Sequence, residues 1–426
     1  MSRFIGLIGF ALILGIAFLM SNNRKSINYR VVITGLALQI ALAFFILKVP
    51  AGQVIFAKIG YIITRLLDFA NQGALFVFGV FADKVAMGKI FGPNNAFIFV
   101  LTLIPTIIFV CVLVAIGYHI GLMQRIVSWI AKFVYWVMGV SGSEALSNVA
   151  SAFVGQVEAQ ILIRPYLSSM TMSELLASMS GSMACIAGGV MAVYISMGVP
   201  ASYLLAASLM AAPGALVISK IVIPETQESE TKGRVKLEIK KTHSNLMDAI
   251  SHGASDGMRV SLNVIAMLIG VIALIALIDA ILGFSGRLLA LTHLSLSGIG
   301  LDLNHLRLKD ILGSVFSIFA WSMGVPWQEA HAVGGLMGTK MVINEFVAYT
   351  DLSPMIVAKV LSPKSVAIAS FALCGFANFS SIAIQLGGIG ELAPGRRKDL
   401  ARLGIKAMIC GTLASYISAI LAGMLL

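Results

Sequence analysis

The sequence predicts an all-α polytopic membrane protein, with about eight transmembrane helices and two re-entrant hairpins arranged as an inverted repeat. Three observations carry this. The 426-residue chain is 58% hydrophobic and only 12% charged, with a mean hydropathy of +0.95, more apolar surface than a soluble fold buries. Its basic residues gather in the loops 21–30, 221–250 and 394–402, which fall on one face of the alternating topology, as the positive-inside rule requires. Two carboxylates, Glu158 and Glu345, stand beside amides in or next to apolar runs broken by glycine, where burial is expensive. The net charge of +11 then belongs to cytoplasmic loops. No polybasic patch interleaved with aromatics points to nucleic acid.

Residues 4–20 are a first span. No small-residue cleavage site follows, and Arg24, Lys25 and Arg30 hold its end inside, which puts the N-terminus outside. Residues 31–48 return. Residues 49–95 are mixed, and short helices along the membrane fit them. Residues 96–123 cross with a kink near Pro105, and 124–140 are amphipathic. Residues 141–168 read as two short arms joined at a bend. Residues 172–197 form a span in which Gly188 and Gly189 permit unwinding, and 201–220 form another. The hydrophilic linker 221–250 divides the chain. Residues 260–284 span, 285–310 are loop-like, and a second hairpin lies within 326–360. Residues 365–388 span with an interruption at Gly375 and Asn378. The last span is 404–426, leaving both termini outside.

The two halves echo each other. In 141–220 and again in 326–426, a re-entrant segment with a glutamate precedes a glycine-interrupted span and then a further span. Transporters built this way hold substrate at the midplane, between the breaks.

Gln156 and Asn344 each donate and accept hydrogen bonds, and beside Glu158 and Glu345 they suit a polar ligand with many hydroxyl or amide edges. Asn378, Ser380 and Ser381 fall at the break of 365–388. Ligand binding and helix–helix hydrogen bonding both account for them. Cys111, Cys185, Cys374 and Cys410 lie in apolar runs at no metal-like spacing and read as small buried residues. The six histidines are scattered. Gly387-Gly388-Ile389-Gly390 lacks the strand–turn–helix context of a nucleotide loop. No catalytic constellation or cofactor motif stands out, so neither an enzyme nor a cofactor is expected.

At these residues the sequence resembles the concentrative nucleoside transporter family, in its bacterial branch. The matching pieces are Gly155-Gln156-x-Glu158, Ile186-Ala187-Gly188-Gly189, Asn344-Glu345-Phe346-Val347-Ala348-Tyr349, Cys374-Gly375-Phe376-Ala377-Asn378-Phe379-Ser380-Ser381 and Ala393-Pro394-x-Arg396-Arg397. The resemblance runs essentially end to end. It implies a homotrimer in which a transport domain slides against a scaffold, an elevator. Residues 1–118 and 251–284 would be scaffold; 119–220 and 285–426 would be the two halves of the transport domain. It also implies that Gln156 and Glu158 hold the nucleobase, with Val190 along the base, Phe376 beside the substrate, and Glu345, Asn378 and Ser381 on the ribose.

The sequence departs from the sodium-coupled members at two places. They carry an asparagine four residues before the Gly-Gln pair, where this chain has Ser151, and a serine where it has Cys185. A thiol is a poor ligand for a hard cation. The expected coupling ion is therefore H+, titrating Glu345 or Glu158. The alternative is Na+, held mainly by the backbone carbonyls of Val154, Cys185 and Ile186. Val157 replaces a hydroxyl residue of some members, which leaves base selectivity open. The expected function is symport of nucleosides into the cell across the bacterial inner membrane. Rival readings are a multipass enzyme using Glu158 and Glu345 as an acid–base pair, and a passive channel.

Overall fold

The computed structural model describes residues 2–91, 98–232, 244–290 and 302–426. The chain opens with two apolar helices, α1 (Ser2–Leu19) and α2 (Tyr29–Leu47). Asn28 caps α2 by accepting the N–H groups of Arg30 and Val31. Next comes α3 (Pro50–Phe78), one helix of 29 residues rather than the short interfacial pieces expected for 49–95. Lys58, Arg65 and Asp68 lower its apparent hydropathy, but Gly52, Gly60, Leu67, Ala70 and Ala74 run a buried seam along it. Proline at its start and Gly79, at φ +58°, set its ends. The short α4 (Lys84–Phe91) follows. Pro105 lies inside α5 (Phe99–His119), and α6 (Leu122–Met138) turns away from α5 by 76°. Gly121, at φ +75°, makes that corner. Along α6, Gln124, Val127, Ala131, Val134 and Met138 face inward, as its amphipathic pattern predicts.

The first hairpin pairs α7 (Gly142–Ser151) with the four-residue α8 (Glu158–Ile161). Its second arm is shorter than a full helix because Arg164-Pro165-Tyr166 tightens into a 3-10 turn. The span 172–197 is broken into α9 (Met172–Ala184) and α10 (Gly188–Ser196). The paired glycines do not sit in the gap: Gly188 starts α10, and the gap is Cys185-Ile186-Ala187. Then α11 (Ala201–Val222) crosses the middle of the molecule.

The next helix, α12 (Leu246–Ala290), is 45 residues long. It takes in residues expected in the linker and in the following loop. Its polar N-terminal turns stay helical because Gly253 and Gly257 lie against α5: a Cβ on Gly257 would meet Ile108 Cα at 2.6 Å. Most of the linker, 233–243, and the loop 291–301 lie outside the described residues. The described end of the linker is docked rather than free. Lys220 pairs with Glu144 at 2.7 Å and with Glu225 at 3.1 Å, and Thr231 meets Ser143.

The second half continues with α13 (Leu308–Ser322), a 117° turn, and α14 (Trp327–Val342). With α15 (Glu345–Val357) this forms the second hairpin. The span 365–388 is again broken, into α16 (Pro363–Leu373) and α17 (Phe379–Leu392). The 29-residue α18 (Arg397–Leu425) closes the chain. Among the described residues, five helices, counting Met172–Ser196 as one, are long and apolar enough to cross a membrane; the two bent pairs raise this to seven.

Helices α9, α11, α16 and α18 are buried almost all round and form the centre. By contrast α12 leans chiefly on α5 and is largely exposed. A cavity of about 1000 Å³, lined mainly by Ile, Leu, Val and Ala side chains, separates α12 from α14 and α15.

Candidate functional site

Both hairpin tips and both helix breaks converge on one region. Each later arm starts with a glutamate, Glu158 on α8 and Glu345 on α15, and a helix N-terminus favours such a charge. At the second break, Asn378 is the N-cap of α17. Its Oδ1 accepts the Ser381 N–H at 2.9 Å and the Ser380 hydroxyl at 2.7 Å. That fixes the amide, so its Nδ2 points out and donates to Glu345 Oε2 at 2.9 Å. From α10, the Tyr194 hydroxyl donates to Glu345 Oε1 at 3.1 Å. Tyr194 is itself held by stacking on Tyr349, centroids 4.2 Å apart, and by an edge contact with Phe346. Glu345 thus faces two donors, the arrangement an ionised carboxylate prefers.

The first hairpin reaches the same break. Gln156 Nε2 approaches Ser381 Oγ at 3.4 Å, and Gln385 Nε2 approaches Gln156 Oε1 at 3.5 Å. Both distances are long for N–H···O bonds, so a ligand edge can replace them at little loss. Gln385 is also fastened to Met179 O at 3.1 Å, while its Oε1 is buried with no partner among the described residues. A buried amide oxygen left over in this way calls for a donor from outside.

The structure therefore brings Gln156, Glu345, Asn378 and Ser381 together, all 9% exposed or less. Phe376 lies in the same break and Val190 on α10 one turn before Tyr194, both half-buried. Glu158 departs from this cluster. It is exposed, folds back over Gly155 at the hairpin tip, and lies near Cys111 and Tyr118 of α5. Asn344 caps α15 through Val347 N–H and leans on Met267 of α12.

Ser151 and Cys185 are both buried but point into different surroundings. The Ser151 hydroxyl bonds Ser147 O at 2.8 Å and Ser182 Oγ at 2.9 Å. It belongs to a serine ladder between α7 and α9, closed by Gln160 Nε2 on Ser147 and Ser182. The Cys185 thiol turns toward Ser208 O at 3.6 Å. Both side chains are engaged by protein groups.

Tyr194 and Gln385 escape a reading by motif, whereas Gln160 stands in the polar stretch 155–160 that the sequence marks. Spacing alone held a signal: Tyr194 follows Val190, and Gln385 follows Ser381, by four residues, the same helix face.

Comparison with known proteins decides the family. A sequence model described as the C-terminus of Na+ dependent nucleoside transporters matches residues 203–423, more than half of the chain. The chain belongs to the concentrative nucleoside transporter family. The corresponding N-terminal model matches residues 8–81, and one described as nucleoside recognition matches 100–201. The transporter is 36% identical to the nucleoside permease NupC of Helicobacter pylori, over 99% of this chain and 98% of that one. It is 36% identical to the mouse sodium/nucleoside cotransporter 1, over 98% of this chain and 63% of that protein. Its fold matches the structure of CNTnw in an inward-facing substrate-bound state, with TM-score 0.92 and 41% identity, covering 100% of this chain and 98% of that one. Homologues and fold are those of transporters, not enzymes.

Proposed function

We propose that this transporter imports nucleosides across the bacterial inner membrane by proton symport. The observation that carries the substrate assignment is the polar chain Gln156–Ser381–Asn378–Glu345–Tyr194, which ties both hairpins to both broken helices. The amide end, Gln156 with Gln385, suits the donor and acceptor edge of a nucleobase. The anionic end, Glu345 with Asn378, suits two ribose hydroxyls. Val190 and Phe376 flank it with apolar surface.

In this reading 119–220 and the second half beyond α12 move as a transport domain against a scaffold that keeps α12 whole to Ala290. Helices α1 and α2, packed on α18 and α11 with Gln39 bonded to Ser418, travel with the transport domain. The cavity along α12 supports it, because α14 and α15 are not packed tightly onto that helix. The assembly is read as a homotrimer, with both termini periplasmic. Coupling to protons is supported by Ser151 and Cys185, whose side chains are spent on protein partners. The buried carboxyl of Glu345 is the titrating group in this reading. Sodium is the second reading, favoured by the Na+ dependent description of the family. The same carbonyls, of Val154, Cys185 and Ile186, would then hold the ion.

Uptake of radiolabelled uridine into proteoliposomes separates these readings. An inward proton gradient without sodium is expected to drive accumulation. Accumulation driven only by sodium would keep the transporter and replace the ion. Uridine that equilibrates without accumulating would identify a passive channel. In the same assay, Asn378→Ala is expected to reduce uptake by about tenfold or more, since it removes a charge-assisted bond and the α17 cap together. Wild-type-like uptake in Asn378→Ala would sink the ribose assignment.

A further inference from the structure

The second hairpin carries a charged group that the polar chain of the site does not use. Lys340 lies two residues before the end of α14 and is 1% exposed. Its Nζ donates to Ala372 O at 2.9 Å and to Cys374 O at 3.3 Å. The Ser415 hydroxyl of α18 also donates to Cys374 O, at 2.8 Å. These carbonyls end α16, where the backbone leaves the helix for the break. Carbonyls at such an end have no intrahelical partner and carry the negative pole of the helix. An ammonium this deep is tolerated only when its donors are satisfied.

The first half offers a contrast at the related place. There α7 packs beside α9, whose end opens the other break, but α7 contains no basic residue. Its last turns present Ser147 and Ser151 to Ser178 and Ser182 instead. The two halves thus share a hairpin helix laid along a broken helix. Only the second half has a cation at this place, since the first half's buried Lys220 is paired with Glu144 and Glu225 instead.

We propose that Lys340 is a tethered cation that positions the substrate site: it gathers the carbonyl end of α16 as a small monovalent ion would. The break 374–378 then holds one shape, and Asn378 is presented to Glu345. The ammonium occupies the Ala372 and Cys374 carbonyls at this break, so those two are not open to an inorganic coupling ion. The inference rests on the nucleoside-transport reading for its uptake measurement, but not for its binding measurement.

Lys340→Ala leaves a void of lysine length facing the Ala372 carbonyl, stripped of the Lys340 donor, and the Cys374 carbonyl, which keeps Ser415, and a free primary amine fits it. The binding measurement is the thermal unfolding of the purified full-length variant in detergent. Ethylammonium chloride is expected to raise the unfolding temperature of Lys340→Ala but not of the wild type, and tetramethylammonium chloride at equal ionic strength is expected to raise neither. In proteoliposomes the variant is expected to lose uridine uptake by about tenfold or more, with a raised KM, and to recover with ethylammonium. Unchanged uptake and KM in Lys340→Ala would overturn the proposal. So would a folded Lys340→Ala variant that ethylammonium neither stabilises nor restores, since Lys340 would then be packing alone. Should the alanine variant not fold, Lys340→Met keeps the length without the charge. Loss of uptake with raised KM in the folded Met variant supports the proposal, and wild-type behaviour rejects it. Absence of uridine uptake in the wild type would count against the substrate, and the thermal measurement would still decide Lys340.

Discussion

Glutamine at position 345 is expected to cut nucleoside uptake by about a hundredfold or more while leaving the protein folded. The carboxylate receives two donors, Tyr194 Oη at 3.1 Å and Asn378 Nδ2 at 2.9 Å. A carboxamide keeps the shape but has one oxygen and one NH2. Asn378 cannot turn over to accept from that NH2, because its own oxygen is spent on Ser381 N–H and Ser380 Oγ. The glutamine oxygen must therefore face Asn378 and its NH2 must face Tyr194, whose hydroxyl rotates to accept. The local network survives, and the fold with it. What is lost is the charge. Hydrogen bonds to a charged group contribute about 1.5–3 kcal/mol each, and a ribose with two hydroxyls would make two. The initial rate of uridine uptake in proteoliposomes, read beside thermal unfolding in detergent, tests this. A folded Glu345→Gln variant with the uptake of the wild type would remove Glu345 from the substrate site and, with it, from proton handling.

Much of this architecture was legible in the sequence because burying a polar group in a membrane is so costly that each instance points to a purpose. Glu345 and Gln156 stood out for that reason, while Asn378 and Ser381 took a ligand role only from the family resemblance, and the structure joins all four. The break at 374–378 was marked by Gly375 and Asn378, one allowing an unusual φ and the other supplying an N-cap. The break at 185–187 was located one step off. Glycines were read as the gap, yet Gly188 and Gly189 open α10, where a glycine lets the helix approach the hairpin: Gly188 N–H meets Phe153 O at 3.3 Å. What sequence could not convey was length set by tertiary partners. The charges of α3 and the polar first turns of α12 read as non-spanning, but seams of small residues against neighbours hold both as long helices. Glu158 was grouped with Glu345 by motif symmetry. At the start of the arm, the Glu158 side chain folds back over Gly155 at the hairpin tip and stays exposed.

Gly375→Ala is expected to destabilise the protein by about 3 kcal/mol or more and to abolish uptake. Two independent penalties coincide at this residue. Its φ of +112° lies where a side chain on an L-residue clashes with its own backbone. A Cβ built there would also stand 2.4 Å from Ala184 O and 2.7 Å from Met183 O. These are backbone atoms at the end of α9, so no rotamer change relieves the contact, and one of the two breaks must move away from the other. The breaks carry Asn378 on one side and lead into α10 with Tyr194 on the other. Separating them pulls apart the two donors that converge on Glu345. Gly387 supplies the control, since a Cβ there meets nothing within 4 Å and its helix is regular; Gly387→Ala is expected to transport as the wild type does. Thermal unfolding and uridine uptake of the pair read stability and function together. If Gly375→Ala kept both, the close crossing of the two breaks would not be what shapes the site. If it lost uptake but kept its unfolding temperature, the crossing would matter for the presentation of Asn378 alone, and the strain would be taken up by a shift of α17 rather than of the core.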